Sequence, residues 1–147
     1  MNINKALKIY QKLKKIDSNF FISGSARRGK KEDLHDLDII YVGNSIPPIE
    51  GSAAFIKGPK IQRVTILGEQ VDIYQCDPEY FGAMMLFLTG SQKYNIILRM
   101  VAKRKGFKLN QYGLFDRETN KLIASKTEQD IYDALGIKFK PPELRNL

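Results

Sequence analysis

FFISGSARRGKKEDLHDLDIIYV, Phe20 to Val42, decides how this chain folds. Phe20-Phe21-Ile22 is a short apolar run bounded by polar residues, the pattern of a buried strand. Gly24-Ser25 follows and leads to Arg27-Arg28-Gly29. After a polar loop, Asp36-Leu37-Asp38 runs into Ile39-Ile40-Tyr41-Val42, a second strand. Residues i and i+2 of a strand share a face, so Asp36 and Asp38 aim two carboxylates at one place while Leu37 and Ile39 face the other way. Crowded carboxylates repel unless a cation lies between them. An all-oxygen donor set suits Mg²⁺, which binds through one or two carboxylates and substrate phosphates. Gly24 allows close backbone approach, Ser25 offers a hydroxyl and Arg28 a guanidinium, which together suit a polyphosphate.

Such a site needs a third carboxylate on a neighbouring strand. Gln70-Val71-Asp72-Ile73-Tyr74 alternates around Asp72 and provides it. Lys60 to Leu67 and Glu69 to Cys76, separated by Gly68, predict a hairpin. Gly58-Pro59 is a turn signal, and Asn44 to Gly51, with Pro47-Pro48, is a connection.

Outward from this centre, residues 3–16 predict an amphipathic helix. Ile3, Leu7, Tyr10, Leu13 and Ile16 form its apolar stripe, and five lysines lie mostly off it. Asp77 as N-cap and Pro78 at the first helical position predict a helix to about Leu88. Ser91 caps the next helix, which Gly106 ends near Lys105. Its outward face carries Lys93, Arg99, Lys103, Arg104 and Lys105. Lys108–Phe115 and Lys121–Ser125 predict strands of a small sheet. A short helix begins at Thr127-Glu128 and ends near Leu135-Gly136. Pro141-Pro142 stops regular structure before a flexible tail. His35, the one histidine, is read as a loop residue and not a general base.

The 147 residues carry 24 basic and 16 acidic side chains, a net charge of +8. The excess is +3 up to Asp77 and +5 from Pro78 onward, and it favours a polyanionic partner such as nucleic acid. A single cysteine, Cys76, excludes an internal disulfide and is expected as a small buried side chain at a strand end. No apolar run reaches the roughly 20 residues that span a bilayer, and the N-terminus has no signal-peptide pattern. A soluble protein, cytoplasmic or nucleus-accessible, is expected.

Gly24-Ser25, Asp36-x-Asp38 and Asp72 resemble the signature of the nucleotidyltransferase superfamily. Leu86-Phe87-Leu88-Thr89-Gly90-Ser91, Asn95, Leu98-Arg99 and Leu109-Asn110-Gln111-Tyr112-Gly113-Leu114-Phe115 resemble the family X DNA polymerases, small gap-filling repair enzymes. The resemblance covers about Phe20 to Leu144. It implies an α+β fold: a nucleotidyltransferase palm with a mixed β-sheet over residues 1–77, then a small α+β subdomain, residues 78–147, that contacts nucleotide and template. It implies transfer of a deoxynucleotide from a dNTP to a primer 3′-hydroxyl, on a primer–template or gapped duplex, by a monomer.

The implied cofactor is Mg²⁺, two ions about 4 Å apart, with Mn²⁺ as a substitute. Asp36 and Asp38 would hold both ions and Asp72 the one beside the primer hydroxyl. Ser25 and Arg28, with Gly24, match triphosphate-binding positions. Phe87, Leu88 and Gly90 match the segment flanking the sugar. Asn95 and Arg99 match contacts to the incoming nucleotide and the template strand, and Lys108 and Tyr112 contacts to the template backbone. A cis peptide is implied between Gly90 and Ser91. The family's N-terminal helical domain is expected to have no counterpart here. Phe87-Leu88 stands where the family usually has Tyr-Phe, and Gln70 where relatives often have Arg. The alternatives are a nucleotidyltransferase acting on a small molecule or protein, and a non-catalytic DNA-binding module.

Overall fold

The computed structural model describes residues 1–58 and 60–147. The chain forms two compact units, Met1–Asp77 and Pro78–Leu147. The turn expected at Gly58-Pro59 lies, at Pro59, outside the described residues. No helix of the described residues is long and apolar enough to cross a membrane.

The first unit is a mixed sheet with a helix on one face. Helix α1 spans Ile3–Ile16, with Asn2 accepting a hydrogen bond from the Lys5 amide as N-cap. Strands β1 (Phe20–Ile22), β2 (Leu37–Val42), β3 (Ser52–Lys57), β4 (Ile61–Ile66) and β5 (Glu69–Cys76) form one sheet in the order β1-β2-β5-β4-β3. β2 and β5 are parallel, and every other pairing is antiparallel. A four-residue helix, α2 (Gly24–Arg27), links β1 to the loop before β2.

Alternation in β2 and β5 splits the sheet chemically. Leu37, Ile39, Val71 and Ile73 are fully buried in the core beside Ala6, Ile9 and Leu13 of α1. Each such aliphatic side chain contributes roughly 1.5–3 kcal/mol by leaving water. The packed face of α1 differs from the expected stripe. Leu7 and Ile16 are exposed, and Ala6 and Ile9 take their place. Ala6 has little side chain, so it lets the helix axis approach the sheet, and the buried stripe rotates to include it. Strand β3 extends the sheet over residues to which the sequence reading assigns no element. Cys76 ends β5 and is buried.

In the second unit α3 (Phe81–Thr89), α4 (Gln92–Arg104) and α5 (Glu128–Leu135) accompany a three-stranded antiparallel sheet, β6 (Phe107–Asn110), β7 (Gly113–Asp116) and β8 (Leu122–Ala124). Its core joins Ala83, Leu86, Tyr94, Leu98, Ala102, Leu114, Ile131, Tyr132 and Leu135. Gly82 is set by packing: a Cβ there would lie 2.2 Å from the Thr127 carbonyl carbon.

Three local expectations change here. Pro78–Tyr80 is a separate 3₁₀ turn, and α3 starts at Phe81 without a side-chain cap; the Asp77 carboxylate instead accepts from Gln75 Nε2 at 3.0 Å. Lys108–Phe115 is two strands, folded back at Gln111-Tyr112, where Asn110 Oδ1 accepts from the Tyr112 amide at 2.9 Å. The tail is anchored rather than flexible. Arg145 is wholly buried; its Nη1 donates to Glu128 Oε2 at 2.7 Å and its Nε to the Lys140 carbonyl at 2.8 Å. The guanidinium carbon lies 5.3–5.9 Å from the ring centres of Phe139, Tyr132 and Tyr94.

Candidate active site

Register builds the centre of the first unit. β2 and β5 run parallel with Asp38 opposite Asp72 and Leu37 opposite Val71. The two carboxylates therefore stand side by side on the face away from α1. Asp36 precedes β2 and points the same way. Carboxylate oxygens of Asp36, Asp38 and Asp72 all lie within 4.8 Å of one another. Asp72 is the most enclosed, at 3% exposure.

The loop before α2 is fitted to these acids. The Ser23 amide and hydroxyl both donate to the Asp38 carbonyl at 2.9 Å, tying the end of β1 to β2. Gly24 then turns with φ +64°, and a Cβ there would meet Asp38 Oδ2 at 2.7 Å. An alanine would therefore have to displace the carboxylate. Ser25 lies in α2 and Arg28 just beyond it.

Electrostatics reflect the crowding. Burial, then repulsion from Asp36 and Asp72, raises the Asp38 pKa to about 6, against the pull of Arg28 and Arg63. Burial and the same three carboxylates push the Tyr74 phenol up to about 12. Burial lowers the pKa of the Arg28 guanidinium, and Asp38 opposes that shift. Three oxygen donors this close, one of them holding its proton unusually well, fit a hard divalent cation.

Arg63 belongs to this site and was missed from sequence. It lies on β4 directly opposite Asp72 on β5. Its Nε donates to Asp72 Oδ1 at 2.8 Å and its Nη2 to Oδ2 at 3.2 Å. Gln70 Nε2 reaches Oδ1 at 3.4 Å. The signal was present: in a hairpin turning at Leu67-Gly68, residue 63 pairs with residue 72.

In the second unit, Phe87, Asn95 and Arg99 line one cleft together with Leu86, Leu109 and Asn110. Asn95 Nδ2 donates to the Phe87 carbonyl at 2.8 Å and so joins α4 to the end of α3. Leu88 is half-buried. Gly90 and Ser91 are joined by a cis peptide, and the Ser91 hydroxyl accepts from the Tyr94 amide as N-cap of α4. Lys108 and Tyr112 stand apart from this cleft's lining. Lys108 Nζ donates to Asn120 Oδ1 at 3.0 Å, and the Tyr112 ring packs edge-on against Tyr80 with centroids 5.1 Å apart.

Residues 84–146 match the family model described as DNA polymerase beta thumb. Repair DNA polymerase X of African swine fever virus is 28% identical over 153 residues, covering 92% of this chain and 86% of the viral protein. The chain is similar to family X DNA polymerases over most of its length. DNA polymerase IV of Saccharomyces cerevisiae is 40% identical over 78 residues, 53% of this chain. The DNA polymerase/3′-5′ exonuclease PolX of Bacillus subtilis is 29% identical over 139 residues, 86% of this chain. The chain spans only 13% of the yeast protein's length and 24% of the bacterial one's. Among solved structures, polymerase beta of Leishmania infantum, in a ternary P/T complex, covers the whole chain with a TM-score of 0.78 at 22% identity. That likeness bears on the fold, an α+β architecture with a mixed sheet.

Proposed function

We propose that the chain is a DNA-directed DNA polymerase of the gap-filling repair type. The observation that carries this reading is the cluster of Asp36, Asp38 and Asp72 beside the Gly24-Ser25 turn, in a chain similar to family X DNA polymerases. A primer 3′-hydroxyl attacks the α-phosphate of a dNTP, and pyrophosphate leaves. Mg²⁺, when bound in two sites, would stabilise the attacking and leaving oxygens. Asp36 and Asp38 would hold both ions, and Asp72 would hold one of them and take the proton of the primer hydroxyl.

Ser25 and Arg28 bind the triphosphate, the hydroxyl as a donor and the guanidinium as a charged fork. Phe87, Leu88 and Gly90 position the sugar. Asn95 and Arg99 contact the nucleotide and template strand, and Lys108 and Tyr112 the template backbone. Contacts to phosphates carry no base information, so binding is independent of sequence and weakens with salt. Residues 1–77 act as the palm, residues 78–147 as the subdomain that meets nucleotide and template, and the protein works as a monomer on DNA in the cytoplasm or a compartment open to it.

Nucleotide incorporation on a one-nucleotide gap, a primer–template and single-stranded DNA tests the reading, with EDTA and Asp38→Asn as controls. Incorporation on the gap that both controls abolish is the expected result. DNA binding without incorporation under any cation would overturn it in favour of a binding module. Transfer to a small molecule or protein instead of DNA would move the chain to another branch of the superfamily.

A further inference from the structure

We propose that Arg63 is a positioning residue that occupies the Asp72 carboxylate in competition with a divalent cation, so that cation loading and guanidinium release are one exchange. The proposal rests on the metal reading of Asp36, Asp38 and Asp72 given above. Both oxygens of Asp72 are engaged: Oδ1 by Arg63 Nε at 2.8 Å and Gln70 Nε2 at 3.4 Å, Oδ2 by Arg63 Nη2 at 3.2 Å. A cation that binds there must displace at least one arm of the fork or share an oxygen with it.

The two partners differ in what they lose by separating. Asp72 is 3% exposed as a residue, so water cannot replace the fork, and a carboxylate left there would face Asp36 and Asp38 uncompensated. The Arg63 side chain is 38% exposed, so its head can turn to solvent at little desolvation cost. The pair therefore opens readily only when another positive charge takes the arginine's place. Gln70, neutral and on the same oxygen, can hold the carboxylate's orientation through the exchange. The strand register fixes this: residue 63 lies opposite 72 on β4, while residue 70 lies two positions before it on β5 and shares its face. The pairing thus restrains Asp72 without closing its access to a cation.

Mn²⁺ binding to the full chain, read by calorimetry and by the electron paramagnetic resonance signal of the free ion, tests the exchange. Arg63→Gln should bind Mn²⁺ about fivefold more tightly than the wild type, since a competing pair of this exposure is removed. Arg63→Lys keeps the charge but not the fork, and should fall between the two. In an Asp72→Asn background, removing Arg63 should change Mn²⁺ affinity less than twofold, because the carboxylate they compete for is gone. Equal or weaker binding by Arg63→Gln overturns the proposal and leaves the metal reading standing, provided the wild type binds Mn²⁺ and Asp72→Asn weakens it. The same gain with and without Asp72 overturns it too, by showing a general charge effect. Absence of Mn²⁺ binding in every protein overturns the metal reading and the exchange together. Should Arg63→Gln fail to fold, Arg63→Lys decides: it must bind more tightly than the wild type.

Discussion

Arg63–Asp72 and Arg145–Glu128 are both arginine–carboxylate pairs of 2.7–2.8 Å, one in each unit, yet their surroundings give them opposite roles. Arg145 is fully enclosed, ringed by Tyr94, Tyr132 and Phe139, and tied by its Nε to a carbonyl. The Arg145 head has no access to water and Glu128 little, so the pair opens only if the unit opens. Arg63 stands half in solvent, over a carboxylate that two others crowd. The same bond is a lock where both ends are dry, and a removable cover where one end is wet. Enclosure, rather than bond length, separates the structural pair from the exchangeable one.

The largest effect should come from breaking the dry pair. Arg145→Ala takes from buried Glu128 its guanidinium partner, and should cost about 3–5 kcal/mol in urea unfolding of the chain. A loss under about 1 kcal/mol would mean that Glu128 rehydrates easily, and the contrast between the pairs would collapse.

Next comes Asp72→Asn. It should lower single-turnover incorporation at least about a hundredfold, the upper range for disturbing a metal ligand's support. It should also change stability by less than about 1 kcal/mol, since Arg63 can turn to water. Nucleotide affinity should stay near normal, whereas Asp36→Asn should weaken it as well, because Asp36 is assigned to both ions. Near-normal turnover in Asp72→Asn would remove Asp72 from the ligand set.

A smaller effect follows from Asp38. Its folded pKa, about 6, lies above the roughly 3.9 of an unfolded aspartate. In EDTA the folded chain thus holds a proton between about pH 4 and 6 that the unfolded chain releases. Stability should fall as pH rises through that window, by roughly 2–3 kcal/mol in total from this group. Asp38→Asn should flatten the profile there. A wild-type profile flat from pH 4 to 6 would show that the crowding is relieved some other way.

The smallest effect is expected at Arg99. Arg99→Ala removes an exposed cation from α4 and should leave stability within about 0.5 kcal/mol, while lowering incorporation and fidelity. Unchanged rate and error frequency would make Arg99 a solvated surface charge.

Much of this arrangement could be read from the chain, and the parts that could not share a cause. Asp36, Asp38 and Asp72 were legible because strand periodicity of two places side chains on faces without any knowledge of packing. The same rule, carried one strand further, gives Arg63. Helix α1 was placed correctly at residues 3–16, yet its buried face was not. Leu7 outranks Ala6 in hydrophobicity, but the sheet accepts the side that lets the helix come close. SAAFIK, residues 52–57, forms β3 although its two alanines are weak strand formers; its place depends on pairing with β4, which no local pattern encodes. The fold-back at Gln111-Tyr112 lacks the Asn-Gly or Asp-Gly pair that marks tight hairpins. The anchored tail depends on Arg145 finding Glu128, 17 residues earlier, and three rings; a lone arginine after two prolines gives no local sign of that.

Gly82 has a consequence for how this chain can vary. With the Thr127 backbone 2.2–2.5 Å from where a Cβ would sit, even the smallest gain in side chain must push apart the start of α3 and the start of α5. A saturation library selected only for folded protein should therefore return glycine at position 82, a residue outside the proposed chemistry. Lineages descending from this sequence would keep it for the same reason. Its invariance in an alignment would record a distance between two backbones, and should not be taken as a vote for function.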